Sequence, residues 1–222
     1  MSMLPLLTAF ALATTADAAP RKGQVHTQLQ TGLLSRQSVR VDESDVEQRT
    51  TAVGPGAGGA TMAVGYHLRR TSEVGGRLEL AQVTYDDGTT DQRTGHLRAA
   101  GYYTHFFPVA RDLRATATGL LGLERTNLDG DATARSPFAG VGGGIAWFVT
   151  PRTSLNAGLE LTHTLGGRHE QDGVEGSSRY SASQGAVVGG LNVYLGGPKG
   201  KRPKPHSRNA PRKKGSKQKG RR

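Results

Sequence analysis

Ionisable side chains recur at alternate positions along several segments of this chain, and they have the greatest capacity for chemistry. In these segments every second residue is apolar, and the charged residues occupy positions between the apolar ones. In a β-strand successive side chains point to opposite faces, so these charges belong to polar strand faces. Buried charges persist when they are paired, and both signs are present. We therefore expect an internal charge network formed by Arg77, Glu79, Arg114, Glu124 and Glu160.

The sequence carries no signature of catalysis or metal binding. Cysteine is absent, which excludes thiolate ligands and thiol nucleophiles. His163 lies on an apolar strand face, but no serine-containing run follows it and no Gly-x-Ser-x-Gly occurs. The glycine-rich runs 54–59 and 140–144 lack a following Lys-Ser/Thr, so we interpret them as strand glycines. We expect no catalytic residue, metal or cofactor, because the histidines are scattered: His26, His67, His96, His105, His163, His169 and His206.

Residues 153–165 show most clearly what kind of element must position these groups. One phase of this segment is apolar apart from His163, and the other phase is polar or small. A period of two predicts a β-strand with two unlike faces. A soluble β-protein would turn the apolar face inward, whereas a membrane barrel would turn it toward lipid. The apolar phase consists of Leu155, Ala157, Leu159, Leu161 and Leu165.

The same alternation predicts eight strands, most of them longer than the five or six residues usual in soluble sheets. Tight turns follow the second, fourth and sixth strands. Polar loops follow the first, third, fifth and seventh strands, at 35–50, 86–92, 126–136 and 166–179. Short turns at one end and loops at the other are typical of up-and-down barrels. A phase slip near Gln82 predicts a bulge. The predicted strands lie within 24–33, 51–68, 74–85, 94–107, 113–125, 137–149, 153–165 and 180–195.

The apolar phase is too rich in Gly and Ala to fill a soluble core, whereas polar side chains fill an eight-stranded lumen well. We therefore predict an all-β fold, an eight-stranded antiparallel up-and-down transmembrane β-barrel with leucines facing lipid. Aromatic residues near strand ends suggest an interfacial girdle of Tyr66, Phe107, Trp147 and Tyr194. The inward phase would contain Gln24, His26, Gln28, Gln30, His67, Arg77, Glu79, Arg98, Arg114, Glu124, Asn156, Glu160 and Asn192.

The ends of the chain differ from its middle. Residues 1–19 combine an apolar run with a small-x-small site at 16–18, which predicts a signal peptide. From residue 198 onward there are 12 Lys or Arg and no acid, which leaves 17 basic and 18 acidic residues elsewhere. A near-neutral body argues against a nucleic-acid groove. We therefore predict a signal peptide at 1–19, a barrel at 20–196 and a disordered basic tail at 197–222.

Two hairpin segments, 101–119 and 142–161, each join long alternating strands through a tight turn. With the overall pattern of 24–195, they resemble the OmpA/OmpX-like family of eight-stranded outer-membrane β-barrels. The resemblance implies a Gram-negative outer membrane and assembly by the barrel assembly machinery. This chain departs from the family in one respect, because a 27-residue extension follows the last strand instead of a terminal aromatic residue.

We expect a monomeric, non-enzymatic outer-membrane barrel with a structural or surface-interaction role, long extracellular loops and a basic periplasmic tail. Its expected partners are outer-membrane lipid, the assembly machinery, and anionic periplasmic lipid or cell wall bound by the tail, but no nucleic acid. One alternative is a lipid-modifying outer-membrane enzyme. Another is a soluble exported barrel that binds an apolar ligand.

Overall fold

The computed structural model describes residues 20–41, 47–54, 59–86, 91–127, 132–171 and 177–196. The predicted signal peptide, 1–19, and basic tail, 197–222, lie outside this range. No helix among the described residues is long and apolar enough to cross a bilayer. The strands are β1 Gln24–Val41, β2 Glu47–Val53, β3 Ala60–Arg69, β4 Ser72–Asp86, β5 Asp91–Pro108, β6 Leu113–Asn127, β7 Ala132–Thr150, β8 Thr153–Thr164, β9 Gly167–Gln171 and β10 Ser177–Gly196.

The ten segments form one closed antiparallel barrel of eight strands. Consecutive strands pair around the ring, and β1 closes it by pairing with β10 from Gln24↔Gly196 to Val41↔Tyr180. β2 and β3 both pair with β1 and together form one barrel strand, interrupted between Gly54 and Gly59. In the same way, β9 continues β8 by pairing with β7 and β10. The predicted all-β, eight-stranded up-and-down barrel is confirmed.

The strands continue well into the regions that the sequence predicted as loops. β1 runs to Val41, and β2 resumes at Glu47, inside the predicted loop 35–50. The prediction that all of 35–50 is a loop was wrong, because a hairpin beyond the bilayer keeps its backbone hydrogen bonds without needing one apolar face. Alternating hydrophobicity therefore disappears while the strand continues. The other predicted loops are shortened in the same way by β4, β5, β6, β7, β9 and β10.

The predicted bulge near Gln82 was also wrong, because the pairing of β4 with β5 passes through Gln82↔Gly95 without a shift. A register shift occurs instead in β1, between Gly32 and Leu34. It brings two consecutive side chains, Leu33 and Leu34, to the outer surface.

Apolar side chains cover the outside of the barrel, as predicted for a membrane-spanning barrel. Leu159, in the middle of β8, is 63% exposed. Among the residues whose side chains the structure describes, Leu120 is the only Leu, Ile or Val that is buried. A soluble barrel would bury such residues, so this arrangement is the reverse of a water-soluble core. Each barrel strand contributes to this apolar belt: Leu29, Met62, Leu78, Leu97, Leu121, Val141, Leu159 and Leu191.

The three tight turns, after β3, β5 and β7, lie at one end of the barrel, which we call the turn end. Tyr66, Phe107 and Trp147 are exposed near it, as an interfacial girdle requires. Trp147 also donates its indole N–H to Asp112 Oδ2 at 3.1 Å. Tyr194 was wrongly assigned to this girdle. It alternates with Val193 and Leu195, and its side chain points into the lumen, where it is 1% exposed.

Candidate functional site in the barrel lumen

A chain of ion pairs crosses the middle of the lumen. Arg77 on β4 donates to both carboxylate oxygens of Glu160 on β8, at 2.6 and 2.8 Å, and to Glu79 Oε2 at 2.8 Å. Since β4 and β8 are four positions apart in an eight-stranded ring, Arg77 and Glu160 join opposite walls. Two-point guanidinium–carboxylate pairing fixes geometry as well as charge.

Arg98 extends this chain of charges around the wall. It donates from Nε to Glu124 Oε2 at 2.6 Å, from Nη1 to Glu79 Oε1 at 3.2 Å, and to the amide oxygen of Gln184. Glu79, Arg98 and Glu124 are directly opposite one another on β4, β5 and β6. The ring of Phe138 lies against the Arg98 guanidinium, 5.3 Å from centroid to carbon. We call Glu160, Arg77, Glu79, Arg98 and Glu124 the lumen network.

Sequence reasoning placed Arg98 on the inward phase but omitted it from the five network candidates. The missing information was the strand register, because alternation gives the face of a residue and not its neighbours on the next strand. Arg114 is the opposite case, because it was one of the five network candidates. It is buried inside the barrel, but it donates to the backbone carbonyls of Ala110 and Leu113 in a turn, with no described contact to the lumen network.

A second buried cluster occupies the turn end of the lumen. His26 on β1 and His67 on β3 lie on either side of the Glu73 carboxylate on β4. The rings of Tyr194 and Phe106 pack against these imidazoles at centroid distances between 5.5 and 5.6 Å. The sequence separates the two histidines by 41 positions and gave no sign that they meet. Antiparallel pairing of three neighbouring strands brings them together.

Two cavities inside the barrel border these clusters. One cavity, of about 10 Å³, borders Arg77, Glu79 and Arg98, and another, of about 90 Å³, lies between the two clusters. The first is about the size that one water molecule requires, and the second has room for several. Both cavities are lined by described residues.

A groove with a volume of about 720 Å³ lies on the outer surface, near the end of the barrel opposite the turns. Its floor follows one row of paired residues across four strands, from Arg49 through Ser38 and Ser183 to His163. His163 Nδ1 is 2.9 Å from Ser183 Oγ. Arg36 and apolar residues of β7 and β8 border the same groove. It therefore combines basic and apolar groups at the edge of the apolar belt.

The similarity of this chain to known proteins lies in its fold. No protein-family model matches the chain, and no curated protein matches it. Neisserial surface protein A superposes with a TM-score of 0.53 at 15% identity, covering 78% of this chain and 100% of that structure. Outer-membrane protein AlkL, determined in lipid bilayers, gives a TM-score of 0.50 at 10% identity, covering 82% of this chain and 94% of that one. This chain has the fold of a small outer-membrane β-barrel.

OprG from Pseudomonas aeruginosa is also similar, with a TM-score of 0.47 at 11% identity over 82% of this chain and 100% of that structure. The closed eight-stranded barrel and the matches to Neisserial surface protein A and AlkL confirm, at the level of fold, the predicted resemblance to eight-stranded outer-membrane barrels. The apolar belt, the girdle and the polar lumen of this chain agree with that fold.

Proposed function

We propose that this protein is a structural outer-membrane barrel that does not conduct solutes and that interacts with lipid at the cell surface. The observation that carries the proposal is the Arg77–Glu160 pair, which spans the lumen. Polar groups that line an open pore remain hydrated, whereas these five charged side chains are paired with one another and largely shielded from solvent. Such a network serves to hold the wall together.

Conductance measurements test the closed lumen. The purified protein in planar bilayers is expected to produce no stable channel current. The double variant Arg77→Ala/Glu160→Ala removes the bridge without changing net charge, and it is expected to conduct. Leu159→Ala on the outer face is the matched control and should remain silent. Steady currents from the unmodified protein would contradict the proposal.

The surface role is proposed for the outer groove. Arg36 and Arg49 supply positive charge beside an apolar wall, at the end of the barrel that faces outward in the family orientation. A phosphorylated glycolipid of the outer leaflet matches both features, since its phosphate would meet the arginines and its acyl chains the apolar wall. In this proposal the glycolipid binds at a specific site on the barrel, in addition to the membrane lipid that surrounds the barrel.

Lipid retention tests this role. Protein extracted in mild detergent is expected to retain phosphorylated glycolipid, detectable by mass spectrometry. The variant Arg36→Gln/Arg49→Gln should retain less. Arg69→Gln/Arg152→Gln removes two exposed arginines at the turn end and should retain as much as the unmodified protein. Equal retention by all three proteins would exclude the groove as the binding site.

Lipid hydrolysis is a second candidate, favoured by the contact between His163 and Ser183 beside the groove. A histidine can activate a serine, but it generally needs an acid to orient it. The described residues that line this groove include no Asp or Glu. We therefore rank hydrolysis below binding. Lipid masses in cells expressing the protein or its Ser183→Ala variant distinguish the two, because only hydrolysis predicts a difference.

We propose that residues 1–19 direct export and that residues 197–222 form a periplasmic tail. The described chain enters the barrel at Gln24 and leaves it at Gly196, which are paired at the turn end. The N-terminal segment therefore ends, and the C-terminal segment begins, at the turn end of the barrel. We propose that the barrel is a monomer inserted by the assembly machinery, and that its tail binds anionic lipid or cell wall. Deleting 197–222 should abolish salt-sensitive retention on purified cell wall without changing the heat-modifiable gel shift of the barrel.

A further inference from the structure

We propose that His26, His67 and Glu73 form a binding site for one divalent transition-metal ion at the turn end of the lumen, with Zn²⁺ as the best match. The three side chains extend from adjacent strands β1, β3 and β4. Glu73 Oε2 lies 2.9 Å from His26 Nδ1 and 2.9 Å from His67 Nε2. All three donor atoms lie within 4.8 Å of one another.

The hydrogen bonding of these atoms distinguishes the cluster from an ordinary buried polar group. His26, His67 and Glu73 are 3%, 0% and 2% exposed, respectively. The distances to Glu73 are short, but His26 Nδ1, His67 Nε2 and Glu73 Oε2 make no hydrogen bond of suitable geometry. Folded proteins give nearly all buried polar atoms a hydrogen bond, so three buried atoms that converge at ion-pair distance without forming one are arranged as ligands of a shared ion would be. A metal ion would satisfy all three at once.

The chemical types of the three ligand atoms indicate which class of ion would bind. Two imidazole nitrogens and one carboxylate oxygen are ligands of Zn²⁺ and neighbouring transition metals. Ca²⁺ and Mg²⁺ favour ligand sets composed of oxygen. Both histidines would bind in their neutral form, so a divalent ion and the Glu73 carboxylate would leave one net positive charge. Nearby aromatic rings, including Tyr194 and Phe106, keep this site away from water.

The tyrosine and the glycine beside the cluster complete the site. The Tyr102 hydroxyl is buried without a hydrogen-bond partner. A Cβ atom at Gly65 would lie 2.5 Å from His26 Cε1 and 2.8 Å from Glu73 Oε1, and the Tyr102 hydroxyl is also close to that point. Glycine at position 65 therefore lets these side chains pack directly against the backbone of β3. The Tyr102 hydroxyl or a water molecule is the fourth ligand that tetrahedral Zn²⁺ requires.

An ion at this position would connect β1, β3 and β4 at the end of the barrel where β1 also pairs with β10 to close the ring. Metal that binds the folded state stabilises it by mass action. The inferred role is therefore a structural cross-link at the turn end. It is independent of the lumen network and of the outer groove, so its test also remains separate from those of the proposed function.

The test uses the full-length protein, folded in detergent and stripped of metal with a chelator. Titration with Zn²⁺ by calorimetry is expected to show one ion per chain, and Co²⁺ is expected to give visible absorption bands of an N/O site. Zn²⁺ should raise the unfolding temperature, and the chelator should reverse the change. Absence of binding by the unmodified protein would overturn the proposal and leave a metal-free polar cluster.

Substitutions of the proposed ligands test whether the ion binds at this cluster. His67→Gln and Glu73→Gln should each lower Zn²⁺ affinity by roughly tenfold or more. His105→Gln is the control, because His105 lies on β5, where its ring contacts Phe107, and is not part of the cluster. The heat-modifiable gel shift shows whether each variant is folded. If either ligand variant fails to fold, stoichiometry in the unmodified protein still decides whether an ion binds. Unchanged affinity in folded ligand variants would place the ion elsewhere and overturn the assignment.

Discussion

Arg77 and Glu160 are 83 positions apart in the sequence, and they form a two-point ion pair that joins opposite walls of the barrel. Each belongs to a strand whose other face contacts lipid. The pair therefore connects two strands that share no backbone hydrogen bonds. Its stability depends on both partners, since a buried charge without its partner is far more costly than a paired one.

Removing one partner of this pair should destabilise the barrel strongly. Arg77→Met leaves Glu160 without its cation, and we expect a loss of about 3–5 kcal/mol in unfolding free energy. The double variant Arg77→Met/Glu160→Met removes both charges and should lose much less. Urea unfolding of the protein in lipid vesicles, followed by gel mobility, measures both. Arg69→Met, exposed at the turn end, is the control and should change stability by no more than about 0.5 kcal/mol.

Charging the apolar belt distinguishes a membrane barrel from a soluble one. Leu159 is in the middle of β8 and points outward. Leu159→Lys should therefore lose about 2–4 kcal/mol in lipid vesicles, as expected for a cation near the bilayer centre. Leu195→Lys, at the turn end, should lose only about 0–1 kcal/mol because it lies near the interface. In a soluble barrel both would be exposed to water, so equal and small effects would contradict membrane insertion.

The sequence predicted the faces of the strands well, because the outward face must be apolar and the inward face polar. All thirteen residues assigned to the inward phase point into the barrel, including Asn156 and Asn192. The strand predictions first become incorrect where the apolar belt, and with it the bilayer, ends. Beyond it, β1 and β2 continue with polar residues on both faces, so alternation no longer indicates a strand.

The sequence also could not predict which side chains on different strands contact one another. Alternation places Arg98 inside, but only the register shows that it lies between Glu79 and Glu124. The same limit hid the meeting of His26 and His67, since neither has another ligand close by in the sequence. Arg114 also lies inside, as its phase predicts. The turn carbonyls that it contacts depend on local backbone geometry, which no residue pattern reveals.

The single tryptophan provides a direct measurement of depth. Trp147, the only tryptophan in the sequence, is exposed near the turn end and donates its indole N–H to Asp112. The position of Trp147 on β7 predicts that its indole lies where lipid headgroups meet acyl chains, and the hydrogen bond restricts the orientation of the ring there. Lipids brominated close to the headgroup should therefore quench its fluorescence more than lipids brominated near the chain end. Asp112→Ala should leave the depth unchanged while broadening the emission band. Strongest quenching from the bilayer centre would contradict the orientation of the barrel.

Two glycines of neighbouring strands differ in the space around them, and their replacement by alanine should have opposite effects. At Gly144, on the inward phase of β7, an added Cβ would lie 2.8 Å from Gly158 Cα and 3.1 Å from the Ala157 carbonyl carbon. These are backbone atoms of β8, which cannot move without disturbing the strand pairing. Gly144→Ala should therefore lose about 1–3 kcal/mol, as overpacking usually does.

Gly119, on the outward phase of β6, has no heavy atom within 4 Å of its Cβ position. Gly119→Ala should be neutral or should gain up to about 1 kcal/mol, since it restricts the unfolded chain and adds a methyl group facing lipid. Urea unfolding in vesicles of a single lipid composition compares the two variants directly. If Gly144→Ala were as stable as Gly119→Ala, β7 and β8 would not approach each other as closely as this barrel requires.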